Sequence, residues 1–112
     1  VQGFGNVAEY AAKKYSELGG KVIAVSCWNQ NDKCAYTFKN KNGIDVEALA
    51  GIKDSFGSID TEKAKQLGLE VLAGDEWISQ DVDIIMPCAL ENQITPETFK
   101  KISKTVCDLR GR

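Results

Sequence analysis

Histidine is absent from this chain, and there are only two prolines and one methionine. Without histidine, the chain alone builds no Ser-His or Cys-His nucleophile pair and no His-ligated zinc site. No apolar run approaches the roughly 20 residues of a membrane-spanning helix. Neither sign of charge dominates: 14 Lys plus Arg stand against 16 Asp plus Glu, a net charge of −2. That balance gives no electrostatic drive toward nucleic acid. Cys27, Cys34, Cys88 and Cys107 are irregularly spaced and form no CxxC, so no zinc knuckle or thioredoxin-like motif is expected. Cys88 and Cys107, next to apolar runs, read as small apolar fillers, and a reducing environment is expected. With no secretion signal in view, a cytoplasmic location is expected. Internal repeats and low-complexity tracts are also missing.

The 112 residues, 43% of them apolar, suffice for one domain. Val1-Gln2 reads as the end of a strand. Asn6 and Glu9 have the spacing of a capping box. Val7, Ala8, Ala11, Ala12, Tyr15 and Leu18 follow at helical spacing, and Gly19-Gly20 supplies a C-cap. Residues 21–26 read as a buried strand. Residues 27–43 are polar and turn-rich, with Ala35-Tyr36-Thr37-Phe38 as a short edge strand. Asp45 and Asp60 are expected to cap helices running to about Lys53 and Gly68. Leu69–Leu72 and Val82–Met86 read as strands, with a loop or single helical turn between them. Thr95-Pro96 opens a last helix, and Thr105-Val106-Cys107 is a candidate final strand. This alternation predicts an α/β fold: a Rossmann-like, doubly wound, mostly parallel sheet with helices on both faces and a truncated first strand. Trp28 and Trp77 are expected to be packing residues.

Gly3-Phe4-Gly5-Asn6-Val7-Ala8 matches G-x-G-x-x-G/A. The first glycine permits a tight turn, the second lets the backbone approach a pyrophosphate, and the small sixth residue packs helix on sheet. The helix start then offers unpaired N–H groups and its positive dipole end. The acid usually found about 20 residues later, which holds the ribose hydroxyls, is missing, and Cys27 occupies its slot. Ser26 keeps a hydroxyl there. Both NAD and NADP stay open on this ground; the one basic residue of the following loop, Lys33, and the lack of Arg favour NAD. A second candidate is Met86-Pro87-Cys88-Ala89-Leu90-Glu91-Asn92, which follows a strand directly and carries small residues where a ring or ribose would approach.

In combination, Val1–Ala8, Val22–Ser26, Asn42-Gly43-Ile44-Asp45 and Asp83–Asn92 resemble the coenzyme-binding domain of glutamate dehydrogenases, within the glutamate/leucine/phenylalanine/valine dehydrogenase superfamily. The resemblance covers residues 1–107, and the tail 108–112 departs from it. It implies reversible oxidative deamination of L-glutamate to 2-oxoglutarate and ammonia, with hydride passing to NAD or NADP. It also implies roles for particular residues. Gly3, Phe4, Gly5, Asn6 and Val7 would form the pyrophosphate turn, and Ser26 and Cys27 would lie beside the adenine ribose. Cys88 and Ala89 would lie near the nicotinamide ribose, with Asn92 close by. The family's catalytic Lys and Asp belong to a separate substrate domain, so no catalytic residue and no metal ligand is expected here. The chain reads as an internal fragment of an enzyme that is a homo-hexamer in this family. A branched-chain amino-acid dehydrogenase and a non-catalytic nucleotide sensor are the alternative readings.

Overall fold

The computed structural model describes residues 1–74, 76–80, 82–88 and the backbone of 107–108. Five strands occur there: β1 (Ala24–Asn29), β2 (Cys34–Lys39), β3 (Glu70–Ala73), β4 (Ile84–Ile85) and β5 (Cys107–Asp108). Three α-helices accompany them: α1 (Asn6–Glu17), α2 (Val46–Gly51) and α3 (Thr61–Gln66). A 3-10 helix spans Glu76–Ser79. The expected helix at Thr95-Pro96 lies outside the described residues.

The main sheet departs from the expectation. β1, β2 and β3 form a three-stranded antiparallel sheet in that order. The loop between β1 and β2 is too short for a parallel crossover, which needs about a dozen residues, so the two strands must form a hairpin. Its turn is built locally: Asn29 Oδ1 accepts from the N–H groups of Asn31 and Asp32, and Lys33 takes φ +54. β2 is therefore the middle strand and not an edge, and Thr37 and Phe38 are fully buried. Parallel pairing is found elsewhere, in β4 with β5 and at Gln2, which bridges Ser26 on one side and Pro87 on the other.

Alternation along the strands separates two faces. Val25, Cys27 and Phe38 join Phe4, Leu49, Ile59 and Leu69 in the main core, to which α1, α2 and α3 contribute Ala12, Val46 and Ala64. The opposite face carries Ser26 and Thr37 and meets the 3-10 helix. Among the described residues, all three α-helices thus serve one core, where helices on both faces were expected. Trp77 and Ile78 form a second cluster with Ile85.

Several helix signals hold. Asp45 accepts from the Ala48 N–H at 3.1 Å, and Asp60 accepts from Glu62 and Lys63 at 2.9 and 3.1 Å. Gly19 (φ +95) ends α1 in a Schellman pattern: Gly20 N–H reaches Tyr15 O and Gly19 N–H reaches Ser16 O. Asp60→Ala is expected to lower stability by about 1 kcal/mol, measured by urea unfolding; a change within about 0.2 kcal/mol would remove the cap's role.

Two expectations for α1 fail. Gly5, not Asn6, is the N-cap, and no side chain caps it. Glu9 turns away to Lys13 and Lys53. Val7 is 70% and Leu18 87% exposed, while Ala8 and Ala12 are fully buried. The inner face is made of alanine because α1 lies close against its neighbours. Trp28 is also exposed, its Nε1 donating to Gln30 Oε1, whereas Trp77 is buried as expected. No helix of the described residues is long and apolar enough to cross a membrane.

Candidate functional site

Gln2 places the site. Its N–H donates to Met86 O at 2.8 Å, and its carbonyl accepts from Cys88 N–H at 3.1 Å. On the other side Ser26 N–H donates to Val1 O at 2.9 Å, and Gly3 N–H donates to Ser26 O. Three parallel segments therefore run side by side. The ends of the Val1–Gln2 and Met86–Pro87 segments bring Gly3 and Cys88 to one edge, with Ser26 alongside. Two motifs more than 80 positions apart in sequence, the glycine turn and the Pro87-Cys88 segment, meet across Gln2.

At this edge Gly3 has φ +90, a conformation that side chains disfavour. Gly5 is different. Its φ of −76 suits any residue, and a Cβ built there meets nothing within 4 Å. Protein packing does not explain a glycine here. The space in front of it is open, as a close-approaching ligand requires. Glu9 N–H is the first to close a helical bond, to Gly5 O at 2.9 Å. The N–H groups of Asn6, Val7 and Ala8 precede it, in the first turn whose donors lie beyond the intrahelical ladder. Asn6 and Val7 are exposed.

Ser26 does not offer its proton to this edge. It is buried, with Oγ 2.6 Å from Thr37 Oγ1. Thr37 donates its own proton to Gly74 O, so Ser26 is the donor of that pair. Cys27 is buried in the helix-side core, and its thiol donates to Trp28 O. β1 runs on to Asn29, so Cys27 is a mid-strand residue and not the strand's last. Cross-strand from Cys27 is Tyr36, whose hydroxyl donates to Asp32 at 2.6 Å. That carboxylate, chiefly by accepting this bond, raises the Tyr36 hydroxyl above its usual range. Cys88 is half-buried, and burial pushes its thiol up, so it stays a neutral thiol near pH 7. Ala89 and Asn92 lie outside the described residues.

A residue that the sequence did not single out completes the turn. Lys53 Nζ donates to Phe4 O at 3.0 Å, pairs with Glu9 Oε1 at 2.6 Å and lies 5.1 Å from the Phe4 ring centre. The Lys53 hydrogen bond, with a second from Lys13, holds the Glu9 carboxyl below its usual pKa. A cavity of about 290 Å³ borders Lys53, lined also by Asn29, Asp32 and Ser58. A larger one, about 460 Å³, opens at the other end of the strands among Val1, Val22 and Ile84. The glycine turn does not border that larger space.

The glycine turn, the helix start and the facing Pro87-Cys88 segment define the chain's class. It belongs to the glutamate/leucine/phenylalanine/valine dehydrogenase family, whose profile matches residues 1–109. The match takes in Asp108 of β5, the first residue of the tail that was expected to depart from the family. Among individual relatives, the chain is 38% identical over 109 residues to an NAD-specific glutamate dehydrogenase of Peptoniphilus asaccharolyticus. It is 37% identical over 110 residues to that of Clostridioides difficile. In each case 96% of the chain aligns with 25% of the relative. A solved glutamate dehydrogenase superposes with TM-score 0.78 at 30% identity, covering 97% of this chain and 24% of that one. The chain thus spans about a quarter of the length of the relatives it matches.

Proposed function

We propose that the chain is the coenzyme-binding part of an amino-acid dehydrogenase that interconverts L-glutamate with 2-oxoglutarate and ammonia, using NAD. The observation that carries this reading is the open space before Gly5, a glycine that neither backbone angle nor packing requires, at the start of a 12-residue helix. In this reading residues 1–107 form the nucleotide-binding unit. The parallel segments joined by Gln2, with β4 and β5, are its Rossmann-like half, and β2 and β3 extend it as an antiparallel flank.

The residues present fit a dinucleotide. Gly3, Phe4 and Gly5 form the turn, and the N–H groups of Asn6 and Val7 face a pyrophosphate. Cys88, with Ala89 and Asn92, borders the nicotinamide ribose. Bound NAD supplies the hydride acceptor. The chain's residues bind and orient it, and a protonated Cys88 adds no charge beside it. Ser26 contributes through its backbone, because its hydroxyl is committed to Thr37. The preference for NAD rests on relatives named NAD-specific. The enzyme so formed is proposed to act in the cytoplasm as a homo-hexamer.

The test is oxidation of NADH and NADPH by the full-length enzyme with 2-oxoglutarate and ammonia. NADH is expected to be used at least about ten-fold more efficiently, on the order of 1.4 kcal/mol of discrimination. Turnover with a branched-chain oxo acid in place of 2-oxoglutarate would move the substrate assignment. Binding of neither coenzyme would overturn the reading.

A further inference from the structure

We propose that Lys53 is a positioning residue for the glycine turn, setting the direction in which the turn presents its N–H groups to phosphate. The proposal rests on the nucleotide-binding reading above. Its basis is peptide geometry. The Phe4 carbonyl and the Gly5 N–H belong to one trans peptide, in which C=O and N–H point in opposite directions. Lys53 Nζ holds the Phe4 oxygen at 3.0 Å from a side chain only 17% exposed. Fixing that oxygen holds the Gly5 N–H on the opposite side of the peptide, away from Lys53, beside a Cα at which a Cβ meets nothing.

The same ammonium reaches the helix. Its 2.6 Å contact with Glu9 Oε1 ties the first turn of α1 to the glycine turn. The Phe4 side chain, buried in the core, lies against the ammonium, so the turn is anchored through both its carbonyl and its ring. Lys53 comes from beyond α2, next to its bridge with Ile59, and is thus carried by a separate part of the fold. The contact also answers a conflict of charge. Glu9 favours the helix start but opposes an anion there. Lys53 and Lys13 set two ammonium groups against that one carboxylate.

The test compares Lys53→Met, Lys53→Arg and wild type in the full-length enzyme, reading dissociation constants for NADH and for adenosine. Lys53→Met is expected to weaken NADH about ten-fold, the scale of one charge-assisted hydrogen bond, and to leave adenosine unchanged. Lys53→Arg, which keeps a charged donor for the Phe4 carbonyl, is expected to stay within about three-fold of wild type. Wild-type NADH affinity in Lys53→Met would overturn the proposal, and so would equal losses for NADH and adenosine. Recovery in Lys53→Met/Glu9→Gln would also overturn it, by assigning the effect to charge alone. If Lys53→Met does not fold, Lys53→Leu, which also has no donor, is judged by the same outcomes. Failure of wild type to bind NADH would instead remove the nucleotide reading, and this proposal with it.

Discussion

Gly5→Asp is expected to leave the protein at least as stable as before and to abolish coenzyme binding. The two halves of this result have separate causes. Gly5 is the N-cap of α1 with an extended backbone, and a Cβ there meets no atom within 4 Å. Aspartate is among the best N-cap residues and suits the positive end of the helix. Stability should therefore be unchanged or rise by a few tenths of a kcal/mol. Binding should fall by at least about 100-fold, on the order of 2.7 kcal/mol, because the carboxylate fills the space before the turn and repels a pyrophosphate. Gly5→Ser, which caps without charge, should fall between the two. The check is NADH titration beside a thermal unfolding curve. A variant that binds NADH normally would remove the glycine turn from the site. A variant that loses binding only because it unfolds would show that Gly5 is structural.

This separation explains which parts of the site are legible in sequence. Gly3 and Gly5 stand in a local motif whose geometry needs only the next few residues, and the structure forms that turn. Asp45 and Asp60 are legible for the same reason, since a cap acts within three residues. Asn6 and Glu9 satisfy the same local pattern and yet do not cap. Lys53, 44 positions away from Glu9, captures the carboxylate by a tertiary contact. No local spacing announces Lys53.

The strand direction was legible in principle. Residues 30–33 separate two six-residue strands, and so short a link permits only a hairpin. The polar run 29–33 hides this, because its asparagines and aspartate resemble a surface loop while they build the turn. The length of β1 was obscured likewise. Trp28 and Asn29 continue the strand past Cys27, and the tryptophan is exposed on a strand whose other residues are buried. Ser26 shows the limit of motif reading. A residue 11 places on takes its proton.

That residue, Thr37, carries the second large effect. Thr37→Val keeps the shape of the side chain and removes one oxygen at the centre of three contacts. Thr37 Oγ1 donates to Gly74 O at 2.8 Å, accepts from Glu76 N–H at 2.9 Å and lies 2.6 Å from Ser26 Oγ. The valine leaves a buried hydroxyl, an N–H and a carbonyl without that partner, at roughly 1–3 kcal/mol for each group that water cannot reach. Ser26 is 1% exposed, so its loss is the least open to repair by solvent. A total of about 3 kcal/mol is expected from urea unfolding. Thr37→Ser, which keeps the oxygen and loses a methyl, should cost about 1 kcal/mol. The effect should also reach the site. Gly74 and Glu76 lead into the 3-10 helix, whose Trp77 and Ile78 pack on Ile85, one residue before Met86 and its bond to Gln2. Thr37→Val should therefore weaken NADH binding even where the protein remains folded, and Thr37→Ser should not. Equal stability of the valine and serine variants would mean that the oxygen adds nothing, and the link from the sheet to the Pro87-Cys88 edge would then rest on Trp77 and Ile78 alone.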